Sequence, residues 1–316
     1  MKKTLFVLGA GASFPYGMPL GWELAEDILK LASKSGSLWK QLQALGHHGP
    51  SYEELGAEFN ASRLHSIDAF LGSRPEFAHR GKIAIATAIR SRETSSTVKR
   101  PEAKEDWFGY LWTRLQQQTE PGERSSARNI RFATFNYDRT LEAMLYEAIR
   151  ATYGGTPKDA LDGLSRFEIK HLYGTATPFH PFSHNSSGCA YGAKLTPDSL
   201  LDAADQIRVI PEQREDNDPE FAVVRTWFDW AERVWFLGFG FDITNVKRLG
   251  FDSVLDVRKR AGVGAPEIFA TVLGAGEAEL TAAKELMFRY SPQAVMQHVS
   301  PGANQNSLAA LRHFGI

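Results

Sequence analysis

The chain has 316 residues and a net charge of −1, from 36 Lys and Arg against 37 Asp and Glu, so it has no overall field that would attract nucleic acid or an anionic membrane. Its hydrophobic fraction of 43% is that of a globular protein and excludes a disordered chain. The single cysteine, Cys189, excludes an intrachain disulfide and a four-cysteine zinc site. We expect no direct binding to nucleic acid or membrane.

The chain begins with a short apolar run, Leu5–Leu8, followed by a glycine-rich turn at 9–13. The run is too short for a secretory signal peptide, and no later stretch approaches the ~18 apolar residues of a membrane span. We therefore expect a cytoplasmic protein. Because every residue of the run is apolar, it predicts a strand that is buried on both faces of a sheet.

A helix is predicted after this strand and turn, beginning near Pro19. Apolar residues at Leu24, Ile28 and Leu31 recur at helical spacing, and the pattern ends at Gly36. A strand, a glycine turn and a helix in this order are typical of the opening of a nucleotide-binding α/β unit.

Residues 38–128 show no comparable strand pattern. Apolar residues recur there at helical spacing, as at Trp107, Leu111 and Leu115. We interpret this stretch as a helical insertion that follows the first strand-helix unit. Within it, the charged stretch 90–106 predicts an exposed loop.

The sheet pattern resumes at 130–135, after which Asn136-Tyr137-Asp138 precedes a helix. Further strands are predicted at 167–172, 207–210, 233–237, 268–273 and 294–299, with helices at 218–231, 243–249 and 278–287. This alternation predicts an α/β fold of the Rossmann-like type, with a doubly wound, mostly parallel sheet. We treat residues 1–316 as a single domain that carries the helical insertion.

Three groups of polar or glycine residues each end a predicted strand. Gly9–Ser13 end the first strand, Asn136 and Asp138 follow the second, and His171 ends another. Because the carboxyl ends of parallel strands meet at one edge of a sheet, we expect these groups to converge. Each also has a simpler explanation when taken singly. For the glycines, the simpler explanation is a tight strand-to-helix turn. For Asn136 or Asp138, it is that one of them is merely the N-cap of the following helix.

Four segments resemble signature sequences of the sirtuin family. Gly-Ala-Gly-Ala-Ser-x3-Gly-Met-Pro at 9–19 resembles Gly-Ala-Gly-x-Ser-x3-Gly-Ile-Pro, and Thr-x-Asn-x-Asp at 134–138 resembles Thr-Gln-Asn-Ile-Asp. His-Leu-Tyr-Gly at 171–174 resembles His-x-x-Gly, and Leu-Gly-Phe-Gly-Phe-Asp at 237–242 resembles the Leu-Gly-Tyr-Ser-Phe-x-Asp segment of prokaryotic sirtuin-like proteins. The matches occur in family order and span nearly the whole chain.

The sequence departs from the deacylase sirtuins at their zinc ribbon. Those enzymes carry four cysteines after the catalytic His, whereas the corresponding stretch here has Cys189 alone. His180, His184 and Cys189 supply three candidate ligands with no evident fourth, so we predict no metal, and a loop-rich insertion at 174–205 in place of the zinc module. Leu20–Trp22 replace the Asp-Phe-Arg of the deacylases, which argues against a peptide-binding cleft.

What remains resembles the sirtuin-like enzymes of prokaryotic antiphage defence, which lack the zinc ribbon and hydrolyse NAD. The resemblance implies an NAD glycohydrolase that cleaves the nicotinamide–ribose bond to give nicotinamide and ADP-ribose, as an NAD-depleting effector. Asn136 and His171 would be its catalytic residues. Asn136 would orient the ribose or the attacking water, and His171 would bond a ribose hydroxyl and accept a proton. NAD would be the substrate, with no metal cofactor.

The resemblance also implies which residues contact NAD. Those expected at the phosphates are Gly9, Ala10, Gly11, Ala12 and Ser13. Those expected beside the nicotinamide are Met18, Pro19 and Asp138, whose carboxylate would bond the carboxamide. Those expected beside the adenosine are Gly238, Phe239 and the turn at 274–276.

Two other functions fit the same motifs. One is a non-catalytic module that binds NAD or ADP-ribose as a sensor or as a subunit of a larger assembly. The other is an NAD-dependent protein deacylase, which transfers an acyl group to ADP-ribose. Because unregulated NAD hydrolysis would harm a host cell, we expect a homo-oligomer or a partner defence protein to control activity, with the insertion at 38–128 regulating access to the site.

Overall fold

The computed structural model describes residues 2–94, 101–119, 127–181, 190–209, 218–272, 275–299 and 306–316. These residues form an α/β fold in which helices pack on both faces of a six-stranded sheet. The expected Rossmann-like, doubly wound architecture is confirmed.

The strands of the sheet are β1 (Thr4–Leu8), β2 (Ile130–Thr134), β3 (Glu168–His171), β4 (Arg233–Leu237), β5 (Glu267–Ala270) and β6 (Met296–His298). Their order is β3-β2-β1-β4-β5-β6, and every neighbouring pair is parallel. This is the strand order of dinucleotide-binding α/β folds, in which the winding reverses between β1 and β4. Ligands of such sheets bind beyond the carboxyl ends of the strands at that reversal.

The helices divide into those between β1 and β2 and those that come later. Between β1 and β2 lie α1 (Ala10–Ser13), α2 (Gly21–Leu29), α3 (Gly36–Ala44), α4 (Pro50–Ser62), α5 (Ile67–Ser73), α6 (Ala78–Arg90) and α7 (Trp107–Gln117). The later helices are α8 (Thr140–Tyr153), α9 (Pro157–Leu164), α10 (Pro197–Gln206), α11 (Pro219–Trp230), α12 (Ile243–Leu249), α13 (Phe251–Arg260), α14 (Glu277–Met287) and α15 (Ser307–Phe314). Across the described residues, we find no helix with the length and apolar character needed to span a bilayer.

Strand β1 lies between two hydrophobic clusters. Leu5 and Val7 belong to the cluster that includes residues of α2–α6 and α10–α14, whereas Phe6 and Leu8 belong to the cluster formed with α7, α8, α9 and α15. Side chains alternate between the faces of a strand, so burial on both sides requires an apolar residue at every position. The continuous apolar run of β1 therefore follows from its central place in the sheet.

The strand predicted at 207–210 is wrong for the residues that the structure describes. Residues 207–209 adopt no strand, and residue 210 lies outside the described part. Ile207 and Val209 are buried in the cluster that contains Leu5, and the N–H of Arg208 donates to the carbonyl of Tyr173 (2.9 Å). Their alternating burial thus comes from core packing after α10 without pairing into the sheet.

The exposed loop predicted at 90–106 is also wrong at its two ends. Arg90, Glu93 and Asp106 are buried, although residues 95–100 lie outside the described part. Each of the three bonds to a partner that is distant in sequence, and such a partner cannot be inferred from a local run of charges. The stretch expected to be loop-rich, 174–205, also contains most of α10.

Candidate functional site

The sequence groups expected to converge lie at the carboxyl ends of three adjacent strands. The glycine turn at 9–13, of which residues 10–13 form the one-turn helix α1, follows β1. Asn136 and Asp138 follow β2, and His171 is the last residue of β3. Gly238 follows β4, on the other side of β1. The groups therefore surround the point at which the winding of the sheet reverses.

Asn136 connects the β1 and β2 strand ends through its side-chain amide. Its Nδ2 donates to the carbonyl of Gly9 and to Oγ of Ser13, at 3.0 Å each. The carbonyl of Gly9 can only accept, so the amide orientation is fixed with Nδ2 toward the glycine turn. Oδ1 consequently faces the other way, and it has no hydrogen-bond partner in the described ranges.

Asp138 joins the same network from the start of α8. Its Oδ1 accepts from Oγ of Ser13 (3.1 Å) and from the N–H of Thr140 (3.0 Å). The N-cap of α8 is Arg139, so neither Asn136 nor Asp138 is the N-cap that the simpler explanation expected. Asp138 instead accepts from the first N–H of α8 and also contacts the glycine turn through Ser13. Burial raises the pKa of Asp138, the hydrogen bonds from Thr140 oppose this shift, and the nearby charge of Glu93 adds to it.

His171 is held at both of its ring nitrogens. Nδ1 lies 2.8 Å from the carbonyl oxygen of Asn136, and Nε2 lies 2.7 Å from Oε1 of Glu142 on α8. A carbonyl can only accept, so Nδ1 carries a proton, and a carboxylate at Nε2 favours a second. Burial alone would lower the pKa of His171, but Glu142 and the Asn136 carbonyl outweigh it, and the net pKa is raised.

Glu142 was missed by sequence reasoning. It lies in the first turn of α8, and its contact with His171 depends on β2 and β3 being neighbours. Burial would raise the pKa of Glu142, but the charge of His171 and its hydrogen bond lower it overall. The contact geometry and the directions of both pKa shifts therefore favour an imidazolium–carboxylate pair. In that state His171 donates two hydrogen bonds and cannot accept a proton.

The glycine turn packs directly against the turn after β4. The N–H of Gly9 donates to Leu237 O, and that of Gly11 donates to Gly238 O, both at 3.0 Å, while the N–H of Ala12 donates to Gly9 O at 2.9 Å. These donors are already bonded within the protein. Ala10 and Gly11 are half-buried at the tip of the turn.

Gly238 allows this packing because it has no side chain. It adopts a left-handed φ of 57°, and a Cβ on it would lie 2.1 Å from the backbone N of Ala12. The residue beside it, Phe239, is buried, and its ring centroid lies 5.0 Å from that of Phe135. Phe239 is thus placed between the strand ends as a core residue.

Met18 and Pro19 lie next to the glycine turn and are buried. The N–H of Met18 donates to the carbonyl of Ser13 at 3.3 Å. Both residues are therefore close to the Asn136 network. The expected adenosine turn at 274–276 includes Gly274, which lies outside the described residues.

The helical insertion contacts the site from two directions. At α7, Nε1 of Trp107 donates to the carbonyl of Ala12 (2.7 Å), and the hydroxyl of Tyr16 donates to Oδ1 of Asp106 (3.1 Å). At the end of α6, Glu93 accepts from both the backbone N–H and Nε of Arg139 (3.1 Å each). Arg139 is the residue that immediately follows Asp138.

Glu93 is the centre of a buried charge cluster that sequence reasoning also missed. Its Oε2 is paired with Nη2 of Arg139 and lies 3.0 Å from Nε of Arg90, and all three side chains are 0–1% exposed. Arg90 and Arg139 also bond to the segment after β3, where their partners are Thr177 and the carbonyls of Pro178 and Ala190. The cluster therefore joins three parts of the chain.

No group of three or more His, Cys, Asp or Glu with metal-binding geometry occurs within the described ranges. Of the candidate ligands considered above, His184 and Cys189 lie outside those ranges. Comparison with known proteins gave no match to a family model and no match to a curated protein.

Proposed function

We propose that the protein is an NAD glycohydrolase. The observation that carries the proposal is the fixed amide of Asn136, whose Nδ2 is bonded to Gly9 and Ser13 and whose Oδ1 is left as an acceptor at the sheet edge. Cleavage of the nicotinamide–ribose bond develops positive charge on the ribose, as in other glycosidic hydrolyses. A preoriented oxygen that holds water or a ribose hydroxyl suits that transition state.

The location of this acceptor supports a dinucleotide as the substrate. Asn136 follows β2 and bonds to Gly9 at the end of β1, next to the reversal between β1 and β4 where dinucleotides bind in this fold class. The backbone after β1 and the backbone after β4 contact each other there, through the N–H of Gly9 on Leu237 O and the N–H of Gly11 on Gly238 O. The sirtuin-like motifs described above are the reason for choosing NAD among the dinucleotides.

In the proposed reaction, the C1′–N bond of NAD breaks and its electron pair leaves with nicotinamide. A water molecule then bonds to C1′ and releases a proton to solvent. Asp138 would accept a hydrogen bond from the carboxamide, while Ser13 and Thr140 fix its other contacts. His171 acts as a cationic donor that holds the backbone of Asn136, since both ring nitrogens are engaged.

The direct test is nicotinamide release from NAD by the purified protein and by Asn136→Ala. We expect the variant to lose at least ~100-fold in rate, the scale seen when one preorganised polar contact is removed from a transition state. Asn60→Ala, an exposed position on α4, is the control and should retain the wild-type rate. Full activity in Asn136→Ala would overturn the proposal.

A binding module without turnover is a separate outcome of the same experiment. NAD at 100 times its dissociation constant should then stabilise the protein by ~2.7 kcal/mol without producing nicotinamide. A thermal shift together with product analysis separates this result from hydrolysis.

A further inference from the structure

We propose that Glu142 is a positioning residue of this site, which acts by holding His171 against the backbone of Asn136. The effect on catalysis rests on the proposed function, whereas the effect on His171 does not. The path is short, because Glu142 Oε1 contacts His171 Nε2 at 2.7 Å and His171 Nδ1 contacts Asn136 O at 2.8 Å.

The two contacts lie on opposite sides of one imidazole ring. An imidazolium donates from both nitrogens at once, so a carboxylate at Nε2 keeps the second proton on the ring. The Nδ1–H bond to Asn136 is then charge-assisted, and such bonds are about twice as strong as neutral ones. Glu142 on α8 therefore strengthens the hydrogen bond from His171 to the carbonyl of Asn136, because it keeps the imidazole ring charged.

Hydrogen bonds hold both the side chain and the backbone of Asn136 in this arrangement. Its side chain bonds the glycine turn, its N–H donates to Oγ1 of Thr134 (3.1 Å), and its carbonyl accepts from His171. The position of Oδ1 depends on all three contacts. Loss of the Glu142 charge would weaken one of them without removing any group that touches the substrate.

The other charged groups around the pair do not replace Glu142. Asp138 lies near His171, but its Oδ1 is bonded to Ser13 and Thr140. Arg139 lies near Glu142, and its guanidinium is paired with Glu93. Oε2 of Glu142 is buried and has no hydrogen-bond partner in the described ranges, and the charge of His171 and its hydrogen bond stabilise the carboxylate more than a backbone hydrogen bond and Arg139 do.

The deciding experiment is titration of His171 by NMR in histidine-labelled protein, with the signal assigned from His171→Gln. In the wild type, we expect His171 to titrate above the ordinary value of ~6.5. In Glu142→Gln it should titrate at least ~1 pH unit lower, the scale of a lost opposite charge at this distance. Glu147→Gln is the matched control, because Glu147 lies on the same helix and pairs with exposed Arg150. It should leave the titration unchanged.

The same variants give a kinetic readout. We expect Glu142→Gln to lower kcat for NAD at least ~10-fold with little change in KM, and to move the alkaline fall in rate to lower pH. Glu147→Gln should match the wild type.

The titration separates failure of this inference from failure of the proposed function. If the wild type releases no nicotinamide, the NMR result still decides whether Glu142 controls His171. Titration of wild-type His171 at or below ~6.5 would overturn the inference, and this holds even if Glu142→Gln does not fold. An unchanged His171 titration in a folded Glu142→Gln protein would also overturn the inference. An unchanged kcat and pH profile in that protein would overturn it as well.

Discussion

At the residue scale, the site is organised by which hydrogen-bonding atoms are already in use. The amide of Asn136 and both nitrogens of His171 are bonded within the protein, and this assigns Asn136 Oδ1 as the acceptor that remains. A histidine that donates twice is a poor general base. The role expected for His171 from the sirtuin resemblance, that of a proton acceptor, is therefore not the one that this geometry favours.

Gly238 provides a residue-scale prediction about the backbone of the site. A Cβ at this position would meet Ala12 N at 2.1 Å, and the left-handed φ of 57° disfavours any side chain. We expect Gly238→Ala to lower the free energy of unfolding by at least ~2 kcal/mol, from the combined strain and displacement of the glycine turn. Urea denaturation measures this change.

The control for this variant is Gly240→Ala, two residues further along the chain. Nothing lies within 4 Å of a Cβ built there, and its φ is not in the left-handed region. Equal stability of the two variants would show that the packed turns tolerate a side chain.

At the scale of elements, the helical insertion is part of the site's framework. The end of α6 carries Arg90 and leads into Glu93, which holds Arg139 directly after Asp138, while Trp107 at the start of α7 bonds to Ala12. Both contacts reach backbone next to predicted site residues. A change in the position of either helix would therefore be transmitted to the strand ends.

Glu93→Gln tests the connection through α6. The substitution removes the carboxylate that the buried guanidinium groups of Arg90 and Arg139 share, and removal of one partner from a buried ion pair costs ~3–5 kcal/mol. We expect a loss of that order in urea denaturation. Glu102→Gln removes an exposed partner of Lys104 and should change stability by less than ~0.5 kcal/mol. Similar small losses in both variants would contradict the structural role of Glu93.

At the scale of the whole molecule, the parallel sheet gathers residues that are far apart in the chain. Gly9, Asn136, His171 and Gly238 meet because β1, β2, β3 and β4 are adjacent and point the same way. The folded state also changes the proton affinity of the groups gathered there. Global stability should therefore depend on pH in a way set by His171 and Glu142.

The sign of this dependence follows from the two shifts. The raised pKa of His171 gives stability that is complete below its unfolded value of ~6.5 and is lost as pH rises through the folded pKa. The lowered pKa of Glu142 gives stability that is present above its unfolded value of ~4.3 and is lost as pH falls through the folded pKa. Both side chains are only 11–12% exposed, so solvent screens the pair weakly.

We therefore expect the stability difference between wild type and Glu142→Gln to be greatest between pH ~4.3 and ~6.5. It should decline in more alkaline solution, once His171 loses its proton. Urea denaturation of both proteins from pH 4 to pH 9 measures the difference, in which the opposite contribution of Asp138, with its raised pKa, cancels to first order. A difference that grows steadily toward pH 9 would contradict the assigned pair.

Local sequence patterns are enough to predict that strands alternate with helices, that Leu5–Leu8 are buried on both faces, and that the candidate residues lie at strand ends. Hydrophobic period and turn chemistry are local properties, and they are read directly from neighbouring residues. The same reasoning explains the wrong strand prediction at 207–209. Apolar and polar residues alternate both in a segment packed on the core and in a strand paired into a sheet, so the pattern does not separate the two.

The strand order, the amide orientation of Asn136 and the partners of His171 and Arg139 depend on the folded arrangement of the whole chain. Glu142 and Glu93 look like ordinary surface charges in the sequence, and nothing local distinguishes them from Glu147. Their roles depend on which helix packs beside which strand end. That arrangement follows from burying apolar surface over the whole chain, after which each enclosed charge must meet an opposite charge or a hydrogen-bond partner.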